Sequence, residues 1–139
     1  MKLLALAFLL LLATVPASAA PLTVTVEGIR NGKGEIRISV YTSPAEWPDH
    51  PASNHDWAEP AKAGSVVFTL DLPPGTYAVN GFHDELGDGK FKKSLIGLPE
   101  EGYMFSNNVR PTLSAPSFQS ASFTLPPEGA AISISVQYP

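Results

Sequence analysis

The residue types most capable of chemistry are concentrated between His83 and Asn108, in HDELGDGKFKKSLIGLPEEGYMFSNN. Its first turn, Asp84-Glu85-Leu86-Gly87-Asp88-Gly89, has the outline of a calcium loop, which needs oxygen ligands at alternate positions and a glycine at the sharp bend. With Asp84 as first ligand, Leu86 falls third, Asp88 fifth, Gly89 at the bend, Lys90 seventh and Lys92 ninth. Leu86 cannot ligate, and Lys92 and Lys93 bring positive charge to where a carboxylate would help. Asp84 and Asp88 therefore make a weak Ca2+ site at best, and a Gly-Asp-Gly turn is the plainer reading. No other cofactor is expected.

Other constellations are no stronger. His83 and Asp84 are adjacent on a strand and face opposite ways, which argues against an imidazole–carboxylate pair. Ser106 lies in Phe-Ser-Asn-Asn rather than in the Gly-Xaa-Ser-Xaa-Gly turn that activates a hydrolase serine. The three histidines, His50, His55 and His83, do not have a zinc spacing. No catalytic constellation is supported, so an enzyme is not expected. Asn107 and Asn108 suit a turn, where their amides bond nearby backbone. Tyr103, Met104 and Phe105 supply apolar area to fix the stretch onto a core, while Glu100 and Glu101 follow Pro99. A long irregular connection this rich in large apolar residues is more often functional or packed than disordered.

A second long connection, Ser43 to Gly64, holds Trp47, His50, His55, Asp56 and Trp57 among four prolines, with room for a short helical turn. Tryptophan carries a large apolar surface that has to be covered. The expectation is a cap anchored by Trp47 and Trp57; the alternative is an aromatic ligand platform of the kind that stacks on sugars.

The elements that must position these residues alternate with period two. Leu22, Val24 and Val26 oppose Thr23, Thr25 and Glu27. After the turn Arg30–Gly34 the chain resumes as Ile36, Ile38 and Val40, which predicts a hairpin. A third strand, Ser65–Asp71, turns through Pro73-Pro74-Gly75 into a fourth, Thr76–His83. Ala121, Phe123 and Leu125, then Ile132, Ile134 and Val136, form two more around Pro126-Pro127-Glu128-Gly129. Short strands, Pro/Gly turns and the lack of a helical stripe predict an all-β fold, an antiparallel β-sandwich with two long end loops. Leu72-Pro73-Pro74-Gly75-Thr76-Tyr77 matches a tyrosine corner, which assigns Gly75 and Tyr77 to structure.

The first residues, MKLLALAFLLLLATVPASAA, have the basic start, apolar stretch and Ala17-Ser18-Ala19 site of a secretory signal. The expected organisation is a signal peptide over 1–19 and one sandwich domain over 20–139, about 120 residues long and able to bury a core. That implies a periplasmic or secreted protein with no membrane span after cleavage. The chain has no cysteine, so neither a disulfide nor a thiolate site holds it. Its net charge of −4 makes nucleic acid and anionic lipid headgroups poor partners.

LPPGTYAVNGFHDELGDGKFKKSLIGLPEEGYMFSNN, followed by Pro116-Ser117-Phe118 and Ala121-Ser122-Phe123, resembles the exported bacterial family called domain of unknown function 2141. The resemblance spans essentially the whole chain after the leader. It implies a sandwich of the transthyretin-like or immunoglobulin-like kind and no activity. The family pattern carries over to His83, Asp84, Asp88, Gly89, Gly97 and Pro99, then Glu101, Gly102, Tyr103, Phe105, Ser106 and Asn107. Leu86 stands in place of the usual Asn, Lys92 of Asp and Met104 of Gly, and the first two departures weaken the calcium reading. Gly89, Gly97, Pro99, Gly102 and Phe105 are assigned to structure. His83, Asp84, Glu101, Tyr103, Ser106, Asn107, Trp47 and Trp57 are the candidate contacts to a ligand or partner. The function expected is a binding or interaction module for an envelope protein or a small polar ligand, with a structural envelope domain as the alternative.

Overall fold

The computed structural model describes residue 10 and residues 18–49 and 55–139; His50 lies outside them. Among the described residues, eight strands form two sheets packed face to face: β1 (Ala20–Ile29), β2 (Glu35–Tyr41), β3 (Asp56–Pro60), β4 (Gly64–Leu72), β5 (Gly75–Asp84), β6 (Tyr103–Phe105), β7 (Ser122–Leu125) and β8 (Ala130–Ser135). One sheet has the order β4-β1-β8. The other runs β3-β2-β5-β6, with β7 extending the β6 side of β5. A single helical turn, α1 (Phe118–Ala121), leads into β7, and a 3₁₀ turn over Ser106–Asn108 follows β6.

The alternation read from the sequence produces the core. Leu22, Val24 and Val26 of β1 and Phe68 and Leu70 of β4 face Ile36, Ile38 and Val40 of β2, and all are buried. Tyr77 closes the expected corner, its hydroxyl donating to the Pro73 carbonyl at 2.5 Å, and burial raises that phenol's pKa above its ordinary value.

Three expectations are corrected. The β1–β2 hairpin does not form: β1 pairs with β4, and β2 with β5 and β3. The Arg30–Gly34 turn instead carries the chain from one sheet to the other, as do Pro73–Pro74 between β4 and β5 and the turn between β7 and β8. Alternation specifies which face of a strand is buried but not whether its neighbour in sequence lies beside it or across the core. Second, the sandwich is not wholly antiparallel, because β1 and β8 run parallel, Val24 opposite Ile132. Third, both long connections contain strands. Asp56–Pro60 pairs with β2, and Tyr103–Phe105 pairs with β5. A strand of three to five residues shows too little alternation to be read.

Two glycines are required by the packing. Gly34 has φ 65°, and a Cβ there would sit 1.8 Å from the Asp84 carbonyl oxygen. At Gly102 a Cβ would meet the Tyr138 ring at 2.4 Å.

Candidate functional site

The segment from His83 to Asn108 divides into a brace and a groove wall. The brace begins where β5 ends. His83 is wholly buried, and its Nε2 lies 2.7 Å from the Lys33 carbonyl. A carbonyl only accepts, so Nε2 carries the proton. Nδ1, 2.9 Å from the Tyr138 hydroxyl, then accepts from it in the neutral ring. The Tyr138 oxygen in turn accepts the Arg30 backbone N–H at 3.0 Å. The Arg30 guanidinium lies 4.5 Å above the Tyr138 ring centroid and bonds Glu85 through Nε at 2.6 Å. That bond lowers the Glu85 pKa, and burial raises that of Tyr138. This chain ties the first crossover, the end of β5 and the C-terminal residues together.

Asp84 is buried on the opposite side of its strand. Oδ1 accepts the N–H groups of Gly87 at 3.0 Å and Asp88 at 3.3 Å. Oδ2 accepts from Gly89 at 2.7 Å and from Arg37 Nε at 3.3 Å. The carboxylate sits where an anion would in a nest of backbone donors, with Arg37 offsetting its charge. Asp88 caps its own turn through the Lys90 N–H at 3.0 Å, and this bond, then the nearby lysines, lowers its pKa. The oxygens of the calcium-like motif thus face N–H groups.

The far end of the segment is equally bonded. Ser106 is buried, accepting the Val79 N–H at 2.9 Å and donating to the Ala121 carbonyl at 2.5 Å. Asn107, at φ 60°, donates its amide to the carbonyls of Ser120 and Ser122 at 3.1 and 2.8 Å. Glu101 is buried, with Oε1 accepting the Lys92 N–H at 2.8 Å and Oε2 lacking a partner among the described residues. Burial, and then the charges of Asp84 and Asp88, raise its pKa above the ordinary carboxylate range. Trp47 is the expected anchor. Its ring centroid lies 5.0 Å from that of Tyr41 and 5.8 Å from that of Phe105, while Nε1 donates to the Pro116 carbonyl at 2.7 Å.

The groove lies on the outer face of the five-stranded sheet and has a volume of about 660 Å³. Register explains its floor. Asp56, Ser39, Asn80 and Phe105 stand side by side across β3, β2, β5 and β6. The next row is Ala58, Arg37, Phe82 and Tyr103. One wall is the stretch carrying Gly89, Phe91, Lys93, Gly97, Leu98 and Pro99, and the other is Pro111–Ala115. Trp57 contributes from the β3 edge, partly packed on the core. Phe82 and Phe91 lie 5.3 Å apart, and Tyr103 and Phe105 6.0 Å apart. Of the eight candidate contacts, the structure brings Trp57 and Tyr103 together here. The other six, His83, Asp84, Glu101, Ser106, Asn107 and Trp47, belong to the brace or the cap.

Sequence reasoning missed Arg37, Ser39, Asn80, Phe82 and Phe91. The available signal was Phe82, an aromatic on the face of β5 that the alternation assigns to solvent. Chemically, the groove offers aromatic rings beside amide, hydroxyl, carboxylate and guanidinium groups. Arg37 is already held by Glu35 at 2.8 Å and by Asp84. No group of three or more metal-ligating side chains occurs among the described residues, and no helix among them is long and apolar enough to cross a membrane.

No curated protein and no solved structure matches the chain. A family model does, over residues 24–133, which include every strand from the middle of β1 to most of β8. The chain therefore belongs to the bacterial family described as an uncharacterized protein conserved in bacteria, DUF2141.

Proposed function

We propose that the protein is an exported binding module that holds a small polar ligand, with an apolar face such as a sugar ring presents, in the groove on the outer face of the five-stranded sheet. The observation that carries this reading is the floor of that groove: Phe82, Tyr103 and Phe105 are aligned beside Asn80 and Ser39 on a face where a sheet turned to water needs no aromatics. Loops at the ends of a rigid sandwich are where such folds carry recognition. Export rests on the leader pattern of residues 1–19, and the periplasm is the favoured location.

Calorimetric titration with a panel of neutral oligosaccharides, comparing wild type with Tyr103→Ala, tests the reading. Binding by the wild type, weakened about tenfold by loss of one stacking ring, supports it. Equal affinities would remove the groove from the binding surface. The structural-domain alternative is favoured by a different observation: most motif residues, His83, Asp84, Ser106 and Asn107 among them, are bonded internally. It predicts no ligand and a loss of stability on altering them.

A further inference from the structure

Between the brace and the groove wall, the chain builds a projecting finger. The Glu100 N–H donates to the Lys92 carbonyl at 2.9 Å, and the Ser94 N–H to the Leu98 carbonyl at 2.7 Å. The Gly97 N–H closes the tip onto the Ser94 carbonyl at 2.9 Å, with Gly97 at φ 81°. This is a hairpin with a three-residue connection, Leu95-Ile96-Gly97, ending in a left-handed glycine. Such tips are normally built from Gly, Asn, Asp, Ser or Pro. Here the tip presents Leu95, 108% exposed, and Ile96, 80% exposed. Leu98 on the same finger and Leu113 on the opposite rim of the groove are 58% and 103% exposed. Among the described residues, the only large exposed apolar side chains outside the segments 86–98 and 113 are Leu10 and Val67.

Charge is arranged around this tip. The chain carries a net −4, yet between Asp88 and Glu101 three exposed lysines, Lys90, Lys92 and Lys93, outnumber the two exposed carboxylates, Asp88 and Glu100, while Glu101 is buried. Lys93 and Lys92 precede Leu95 by two and three residues, which places them about 7 and 10 Å behind it along a strand. Apolar side chains of interfacial segments enter a bilayer to a depth of about 5–10 Å. The ammonium groups would then lie at the level of the phosphates when the leucine and isoleucine reach the acyl boundary.

We infer that the Lys92–Glu100 finger docks the protein onto a bilayer surface bearing anionic phospholipid, with Leu95 and Ile96 entering the interface and Lys92 and Lys93 meeting the headgroup phosphates. A convex point with its two side chains fully in solvent suits a fluid interface, and the lysine collar supplies the charge complementarity. The overall acidic balance disfavours such a surface at long range, and the finger reverses it locally, within a Debye length. The inference uses the tip and not the groove floor, so it stands or falls separately from the ligand proposed above.

Because the chain lacks cysteine, a Leu95→Cys variant can carry one environment-sensitive fluorophore at the tip, with Ser133→Cys, exposed on the other sheet, as its control. The full chain is titrated with vesicles of phosphatidylcholine plus phosphatidylglycerol, and with phosphatidylcholine alone. Local reporting separates the finger from any membrane affinity of residues 1–19. The expected result is a blue shift at position 95 and none at 133, greater with the anionic vesicles. Affinity should fall about fivefold for each of Lys92→Gln and Lys93→Gln. No shift at 95, equal shifts at 95 and 133, or indifference to both lysine substitutions overturns the inference. A tip that responds to soluble envelope protein but not to vesicles overturns it too, and assigns the finger to a protein partner.

Discussion

The Nδ1 atom of His83 and the hydroxyl of Tyr138 meet at 2.9 Å between the end of β5 and the C-terminal residues. The imidazole is wholly buried, and its second nitrogen is bonded to the Lys33 carbonyl. A histidine that looked chemically available in the sequence is thereby the central member of a chain of bonds running from Arg30 to Lys33. Tyr138→Phe would leave both the Arg30 N–H and His83 Nδ1 without a partner. A loss of about 1–3 kcal/mol is expected, measured by urea denaturation against Tyr103→Phe, a change at a residue lining the groove that should alter stability little.

Ser106 provides the second expectation. Its hydroxyl is wholly buried, accepting the Val79 N–H and donating to the Ala121 carbonyl. Ser106→Ala removes both bonds where water cannot replace them, and a cost of about 1–3 kcal/mol should follow. Oligosaccharide affinity should be unchanged in the folded variant. A lost affinity with unaltered stability would return Ser106 to the binding surface.

Glu101 makes stability depend on pH in a particular sense. Its folded-state pKa is raised, first by burial and then by Asp84 and Asp88. The folded protein therefore holds the proton over a window in which the unfolded chain has released it. Stability from this group is fully present below the ordinary glutamate pKa and declines as pH rises through the raised value. Glu101→Gln removes that decline, so the stability difference between variant and wild type should grow in the variant's favour from acid to neutral pH. Thermal melts across that range, plotted as the difference, check it. A difference independent of pH would contradict the role given to burial.

Close backbone approach makes the fourth prediction sharp. Gly34→Ala would force a Cβ to within 1.8 Å of the Asp84 carbonyl oxygen, whereas at Gly64, also at positive φ, a Cβ meets nothing within 4 Å. Gly34→Ala should prevent folding or cost more than about 3 kcal/mol. Gly64→Ala should cost only the conformational strain, about 1–2 kcal/mol. Circular dichroism and urea denaturation of the two variants distinguish these outcomes.

The strands and their buried faces were legible because alternation reports directly on burial. Leu22, Val24, Val26, Ile36, Ile38 and Val40 are all core residues. Their partners were not legible. An arch between sheets and a hairpin within one sheet bury the same alternate residues, so the turn Arg30–Gly34 read as a hairpin although it is an arch. The parallel β1–β8 pair joins residues about a hundred positions apart, beyond any local signal. The site was half legible for a related reason. The motif between His83 and Asn107 marks where side chains bond the backbone, and those bonds fix the wall of the groove. The floor itself comes from Arg37, Asn80 and Phe82, which are ordinary strand residues until register places them side by side.

The central claim is that the aromatic face of β5 and β6 receives a ligand. An amide NMR titration of the isotope-labelled protein with neutral oligosaccharides tests it most directly. The account predicts shift changes concentrated at Ser39, Asn80, Phe82, Tyr103 and Phe105, weakened in Phe82→Ala, with Ser133 on the far sheet unmoved. Changes centred elsewhere, or unaltered in Phe82→Ala, would contradict it.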